Sequence, residues 1–246
     1  MDERLLRSFA TIENVHWWFV ARRDIVMECL RRGISDAPGE ILEIGCGTGA
    51  FLADLARAYP AARAWGVEPS AGAREAARRL GCDVVDGVFE ALPASDESID
   101  LLVALDVLEH CESERSALSE AHRVLRPGGH LLLTVPAMPS LWSSHDTVNG
   151  HYRRYTARTL RAAVDLVPLK TDRITYFDTL LLPFGAAART FGRVVRWEGP
   201  IGVGTPAPPL NRALLAVFRS ERSLLRRGNL PRGMSLLLLA AKPPNA

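Results

Sequence analysis

Strand and helix alternate through residues 40–135, which predicts an α/β fold: a doubly wound, mostly parallel sheet with helices on both faces. Two further features agree. The strand-length run at 99–105 is apolar throughout, as expected for a strand covered on both faces. Two later strand-like runs, 169–177 and 234–241, bring the expected sheet to seven strands.

The elements follow in order. Residues 14–32 read as a helix, because aromatic and aliphatic residues recur at helical spacing and Gly33 stops it. Residues 41–44 form a short buried strand that runs into a glycine loop, and a helix follows from about 50 to 59. Residues 63–67 are the second strand; Ser70 then caps a helix to Leu80, which Gly81 ends. Residues 82–85, 99–105 and 130–135 are the third, fourth and fifth strands. An amphipathic helix over 112–125 precedes Arg126-Pro127-Gly128-Gly129, whose Pro and Gly suit a type II turn. Thr156 caps another helix. The whole then reads as one domain over 1–246. It has an N-terminal helical cap (1–37), a ligand-binding core (38–177), a helical insertion (178–233) and a last strand with tail (234–246). The insertion holds two helical stretches and a Pro-rich link, Thr205-Pro206-Ala207-Pro208-Pro209.

Composition narrows the function. A net charge of +2 gives no basic excess for nucleic acid. No basic-then-apolar leader opens the chain, and its longest clean apolar run, 236–241, is too short to span a bilayer. Cys29, Cys46, Cys82 and Cys111 lack paired metal-like spacing, so reduced thiols and a cytoplasmic location are expected.

The sharpest motif is Glu43-Ile44-Gly45-Cys46-Gly47-Thr48-Gly49-Ala50. A strand that turns abruptly into a helix beneath a ligand needs glycine at the turn. Glu68 follows at the end of the second strand, where a carboxylate can accept both hydroxyls of a ribose. Gly45-x-Gly47-x-x-Ala50 with a later acidic residue also satisfies the dinucleotide fingerprint, so the glycines alone leave a nicotinamide-dependent oxidoreductase open.

Glu43-x-Gly45-x-Gly47-x-Gly49 resembles motif I of class I S-adenosylmethionine-dependent methyltransferases. Gly66-Val67-Glu68-Pro69-Ser70, Glu90-Ala91-Leu92-Pro93, Ser98-Ile99-Asp100, Leu105-Asp106-Val107-Leu108-Glu109-His110 and Arg123 to Gly129 continue that pattern in order. The resemblance is to the small-molecule subset of the type 11/type 23 methyltransferase domains, covers about residues 38–136, and disfavours NAD. It implies a Rossmann-like methyltransferase fold and S-adenosylmethionine as cofactor, with S-adenosylhomocysteine as product. It implies that the 45–49 loop, Cys46 included, wraps the methionine and ribose, and that Glu43 fixes the loop or meets the ligand ammonium. Glu68, beside Pro69, would hold the ribose, and Asp106 would lie at the cofactor end. The family usually has an acidic residue five positions before the Pro of the Leu-Pro pair. Here that position is Val88, which leaves the adenine amino group to backbone near Val88 and Phe89, or to Asp86, itself equally an ordinary turn residue.

At the other end, His16-Trp17-Trp18-Phe19 with Arg22 and Arg23 resembles a subset of the family, so one arginine is expected to meet the cofactor carboxylate; core aromatics with solvated arginines is the plain alternative. His145-Asp146 with Gly150-His151-x-Arg153-Arg154-Tyr155-Thr156 resembles the same subset. Trp142, His145, Asp146, His151, Arg154 and Tyr155 are expected to face the acceptor, although Arg–Asp and His–backbone bonds could instead pin a long loop. His145, His151 and His110 are the candidate general bases. His145, Asp146 and His151 offer three metal-type ligands but no evident fourth, so no metal is expected.

The expected activity is methyl transfer to O, N or C of a small molecule, such as a secondary metabolite or a sugar- or lipid-linked intermediate. A non-catalytic S-adenosylmethionine-binding module is the third reading. Nucleic acid lacks support, since no Asn/Asp-Pro-Pro-aromatic signature follows the fourth strand. The insertion carries apolar stripes, Leu180 to Phe184 with Phe191, Val194, Val195 and Trp197, then Leu210, Leu214, Leu215, Val217 and Phe218. They call for a surface to cover: the mouth of the active site as a lid, a homodimer interface, or a weakly bound membrane.

Overall fold

The structure is a computed structural model and describes residues 12–187 and 204–244. Seven strands form one sheet: β1 (Glu40–Ile44), β2 (Arg63–Val67), β3 (Asp83–Val85), β4 (Ile99–Leu105), β5 (Leu125–Pro136), β6 (Lys170–Phe177) and β7 (Ser235–Ala241). Their order is β3-β2-β1-β4-β5-β7-β6. Strands β1 to β5 pair parallel, and β7 runs antiparallel between β5 and β6. The expected seven-stranded, mostly parallel sheet is therefore present. Chain order reverses between β1 and β4, so a crevice opens where their carboxyl ends diverge.

The helices are α1 (Trp17–Gly33), α2 (Ala50–Ala58), α3 (Ala71–Arg79), α4 (Glu114–Val124), α5 (Ser144–Val148), α6 (Ala157–Val164) and α7 (Pro208–Leu225). Alternate β4 residues explain the two cores. Leu102 and Ala104 pack with Leu118 and Val124 of α4 and Leu160 and Val164 of α6. Leu101, Val103 and Leu105 pack on the other face with Ile25 and Leu30 of α1, Phe51 and Leu55 of α2, and Phe218 and Leu225 of α7. A strand apolar at successive positions needs cover on both faces, and these helices supply it.

Several elements depart from their expected bounds. Helix α1 starts three residues late, because the His16 side chain accepts a hydrogen bond from Trp18 N–H (3.2 Å) and so caps it. The expected turn at 126–129 lies inside β5. It bulges between the pairs Ile99–Leu125 and Leu101–His130, with Gly128 at φ 82° donating its N–H to Lys242 O (2.8 Å). Helix α4 starts at Glu114, two residues late, behind a Ser113 cap.

The insertion's second helical stretch is α7, which packs on α1 through Phe218 with Leu214 and Leu215 partly buried, while Leu210 and Val217 of the expected stripe stay exposed. Phe218 meets Trp17 edge-on (5.9 Å between ring centroids) and stacks on Phe177 (6.4 Å). Arg219 pairs with Asp24, and Arg226 with Glu28, each at 2.6 Å. Asn211 accepts the Trp17 N–H (3.0 Å), a second tie at the start of α1. Residues 182–187 are helical, while Phe191, Val194, Val195 and Trp197 lie outside the described residues. Among the described residues no helix is long and apolar enough to cross a membrane.

Candidate functional site

The glycine loop leaves β1 and turns back under β2. Gly45 N–H and Cys46 N–H both donate to Val67 O (2.7 and 3.3 Å). Gly45, Gly47 and Gly49 all have positive φ, but their surroundings differ. A Cβ at Gly45 would meet Val107 at 2.7 Å, and one at Gly49 would meet Ala77 at 2.8 Å. A Cβ at Gly47 would meet nothing within 4 Å. Packing accounts for the outer two glycines, and the middle one faces an open cradle. Only the backbone of Cys46 serves that cradle, because its side chain is in the small core with Leu52, Ala77 and Val84.

Two acidic side chains flank the loop. Glu68 Oε2 accepts the Gly47 N–H (3.0 Å) and Oε1 accepts the Ser70 N–H (2.9 Å), so this carboxylate also fixes the loop. Its remaining lone pairs are free in number to accept ribose hydroxyls. Glu43 is 3 % exposed, and its Oε2 has no hydrogen-bond partner. Burial lifts its carboxyl to about 8, against the opposing pull of Arg22. A buried acid next to the glycine loop in the chain, with one oxygen unsatisfied, fits a ligand that carries a positive group.

That raised value has a consequence for stability. A carboxyl with a folded-state pKa above its unfolded one costs stability as pH rises through the interval, here from about 4.5 to about 8. Unfolding free energy measured by denaturant is expected to fall across that range, by up to ~1.4 kcal/mol per pH unit from this group. Glu43→Gln is expected to flatten the slope. An unchanged slope in the variant would show that Glu43 is ionised in the folded chain.

The adenine end is sparer. Asp86 is largely exposed and pairs with Arg74 (2.6 Å), Pro69 is exposed, and its carbonyl accepts from Arg74 as well. Val88 is exposed, while Phe89 sits in the main core.

At the carboxyl ends of β4 and β5, α1 lays its polar residues across the crevice. Arg22 pairs with Asp106 (2.5 Å), and its guanidinium lies over Trp18 (5.1 Å). Thr134 joins them, accepting from Arg22 (3.2 Å) and donating to Asp106 (3.1 Å). Asp106 holds φ at 56°, a strained value for a residue with a side chain, of the sort that gathers at functional sites. Arg23 is turned elsewhere. It pairs with Asp54 of α2 (3.0 Å) and donates to Glu13 O (2.7 Å), so Arg22 is the arginine at the site.

The 142–155 segment is more ordered than a loop. Helix α5 lies inside it, started by a Ser143–Asp146 capping box. Asp146 has no exposed side chain; it accepts from Ser143 N–H (2.9 Å) and Arg154 Nε (2.7 Å) and bonds His151 Nδ1 (3.0 Å). Burial opposes this carboxylate's charge, yet His151 and Arg154 outweigh it and hold its pKa below the usual range. Arg154 is buried too and donates to Ala137 O (3.0 Å), and Tyr155 belongs to the main core. Asp146, Arg154 and Tyr155 therefore pin the segment, rather than reach outward as the acceptor-facing reading had them. Trp142 and His145 stay partly exposed.

A second set of bonds draws this segment onto the 3₁₀ turn Leu108–His110. Tyr152 N–H donates to Glu109 O (2.8 Å), and Arg153 donates to Cys111 O (3.0 Å) and pairs with Glu114 (2.9 Å). The His110 and His151 rings end edge-to-face, with centroids 4.8 Å apart. Burial, then the neighbouring His151, lowers His110 to about 4. Glu109, 1 % exposed with neither carboxylate oxygen bonded, is a site residue the sequence reading left unassigned. Only its place in the Asp106–His110 motif could have flagged it.

Comparison with known proteins agrees with this fold. Residues 42–133 match the methyltransferase domain family model. A Mycolicibacterium smegmatis protein named "Probable S-adenosylmethionine-dependent methyltransferase" is 30% identical over 227 residues, which is 88% of this chain and 83% of that protein. The malonyl-[acyl-carrier protein] O-methyltransferase of Methylococcus capsulatus is 39% identical over 105 residues, 41% of this chain and 38% of that one. The chain thus spans less than half the length of some curated relatives it matches. Among solved structures, geranyl diphosphate C-methyltransferase from Streptomyces coelicolor superposes with a TM-score of 0.60 at 17% identity, covering 91% of this chain and 76% of that one.

Proposed function

The chain belongs to the class I S-adenosylmethionine-dependent methyltransferases, and from that premise we propose that its acceptor is a small molecule held between the Asp106–His110 turn and the 142–155 segment. The observation that carries this reading is the stitching of that segment onto the turn, with His110 and His151 meeting beside the Arg22–Asp106 pair. Bound S-adenosylmethionine supplies a methyl carbon already activated by its sulfonium. The chain then has to position, exclude water and manage one proton. Gly47 and Glu43 shape the cradle, Glu68 fixes it and takes the ribose, and Arg22 across Asp106 and Thr134 closes the crevice from α1. An acceptor hydroxyl or ammonium must lose its proton, and His145, His151 and His110 are the groups suited to bear on it. His151 is the best oriented of the three, because the buried Asp146 holds its Nδ1 and leaves Nε2 free. The malonyl-carrier relative, named as an O-methyltransferase, favours an oxygen acceptor of the metabolite or carrier-linked kind. The cytoplasm is the proposed compartment, and the resident chemistry needs no nicotinamide.

Calorimetric titration with S-adenosylhomocysteine and NADH, followed by a product-release assay over hydroxyl, carboxyl and amine acceptors, tests the proposal. The expected result is binding of S-adenosylhomocysteine alone and turnover on an oxygen acceptor. Binding with no turnover on any small acceptor would move the chain to a non-catalytic binding module, and binding of NADH alone would overturn the cofactor reading.

A further inference from the structure

The fold brings three metal-capable side chains together where the sequence shows no ligand spacing. Glu109 and His110 are adjacent on the 3₁₀ turn after β4, and His151 arrives from 41 residues on. We propose that Glu109, His110 and His151 form a binding site for a divalent transition-metal cation. Their ligand atoms lie within 4.8 Å of one another. Donors at about 2.1 Å from one cation stand roughly 3–4 Å apart, so small side-chain rotations close the set.

Three observations support the assignment independently of that proximity. The first is Glu109, which is 1 % exposed with neither carboxylate oxygen hydrogen-bonded. Ionised, it is a buried charge without a contact partner; protonated, it leaves an O–H without an acceptor. A cation beside it resolves both conditions. The second is the support behind the His151 imidazole. His151 Nδ1 is held by the buried Asp146 (3.0 Å). Ligating histidines ordinarily have their second nitrogen fixed by a carboxylate or a carbonyl in this manner. The third is preorganisation. Tyr152 N–H to Glu109 O (2.8 Å) and Arg153 to Cys111 O (3.0 Å) fasten the residues on either side of the juncture, and Asp146 is itself clamped by Arg154 and Ser143. The expectation of no metal rested on the lack of an evident fourth ligand beside His145, Asp146 and His151. The fold puts Asp146 behind His151 and brings Glu109 and His110 alongside instead.

Two imidazoles and one carboxylate suit zinc, iron, cobalt or manganese better than magnesium or calcium, which prefer oxygen donors. Three protein ligands leave coordination positions open. Lying just past Asp106, the cation would be placed to hold an acceptor oxygen, and His110 and His151, once ligating, would act through it in place of serving as free bases. This last consequence rests on the acceptor reading above, whereas cation binding does not.

The test uses the full chain, stripped with a chelator, dialysed and titrated with cobalt(II) chloride, then with zinc chloride in competition. The expected result is a visible cobalt absorption that saturates at one equivalent and is displaced by zinc. His110→Ala and His151→Ala are each expected to weaken binding on the order of tenfold or more, and Asp146→Asn, acting through His151, by about 10–100-fold. Glu109→Gln keeps the shape of the buried side chain and is expected to weaken binding likewise. Circular dichroism and S-adenosylhomocysteine titration report on folding and the cofactor site of each variant. No saturable cobalt spectrum, or equal affinity in wild type and all four variants, overturns the site. Loss of S-adenosylhomocysteine binding by the wild type would instead strike the methyltransferase reading, with the cobalt result standing by itself.

Discussion

Gly47→Val is expected to abolish S-adenosylhomocysteine binding in a chain that remains folded. The substitution acts twice. It places a β-branched side chain at φ 53°, which costs about 1–3 kcal/mol, a fraction of the ~5–15 kcal/mol that holds a domain together. It also fills the space above the loop, where an added Cβ would meet no protein atom within 4 Å. Protein packing therefore offers no reason for glycine there beyond the backbone angle, and the expected loss rests on a ligand taking that open space. A loss on the order of 100-fold or more, about 2.7 kcal/mol, is expected by calorimetry, with the far-ultraviolet dichroism retained. Gly45→Ala and Gly49→Ala are the contrasting variants. Their new methyls would press on Val107 and Ala77, so they should lower the melting temperature first and affinity second. A folded Gly47→Val chain that binds normally would place the ligand elsewhere.

That contrast bears on how much the sequence discloses. All three loop glycines are visible in it, but which are needed for packing and which for a ligand depends on Val107 and Ala77, both distant in the chain. The parallel strands and the Ser70-capped helix were legible because their signals are local: unbroken apolar runs, and a hydroxyl before a helical stretch. The α1 start was not, since an imidazole cap at His16 is outside the usual Ser, Thr, Asp or Asn choices. The 126–129 turn signal was sound, but its meaning changed once Lys242, the residue after β7, became a backbone partner. The apolar stripe over 210–218 truly needed a surface, and periodicity could not say that the surface is α1. The same limit hid Glu109, whose burial exists only after 142–155 folds over it.

The second large effect concerns Asp146. Asp146→Ala is expected to destabilise the chain by about 3–5 kcal/mol, because it leaves Arg154 as a buried cation held by the Ala137 carbonyl and no carboxylate. At roughly 2–4 °C per kcal/mol for a chain of this size, the melting temperature should fall measurably. Asp146→Asn keeps the volume and an acceptor oxygen but removes the charge facing Arg154, so its loss should be intermediate. Replacing both partners, Asp146→Ala with Arg154→Met, should cost less than the two single losses added, since no unpaired charge then remains buried. The double variant also separates pinning from chemistry. It restores a neutral interior beneath α5 without restoring the carboxylate behind His151. If the segment only needed pinning, the double variant should recover methyl transfer along with stability. If His151 must be held by a carboxylate to act on the acceptor or on a cation, stability returns and turnover does not. A change below about 1 kcal/mol in Asp146→Ala itself would mean that other contacts hold the 142–155 segment, and that the buried carboxylate serves His151 alone.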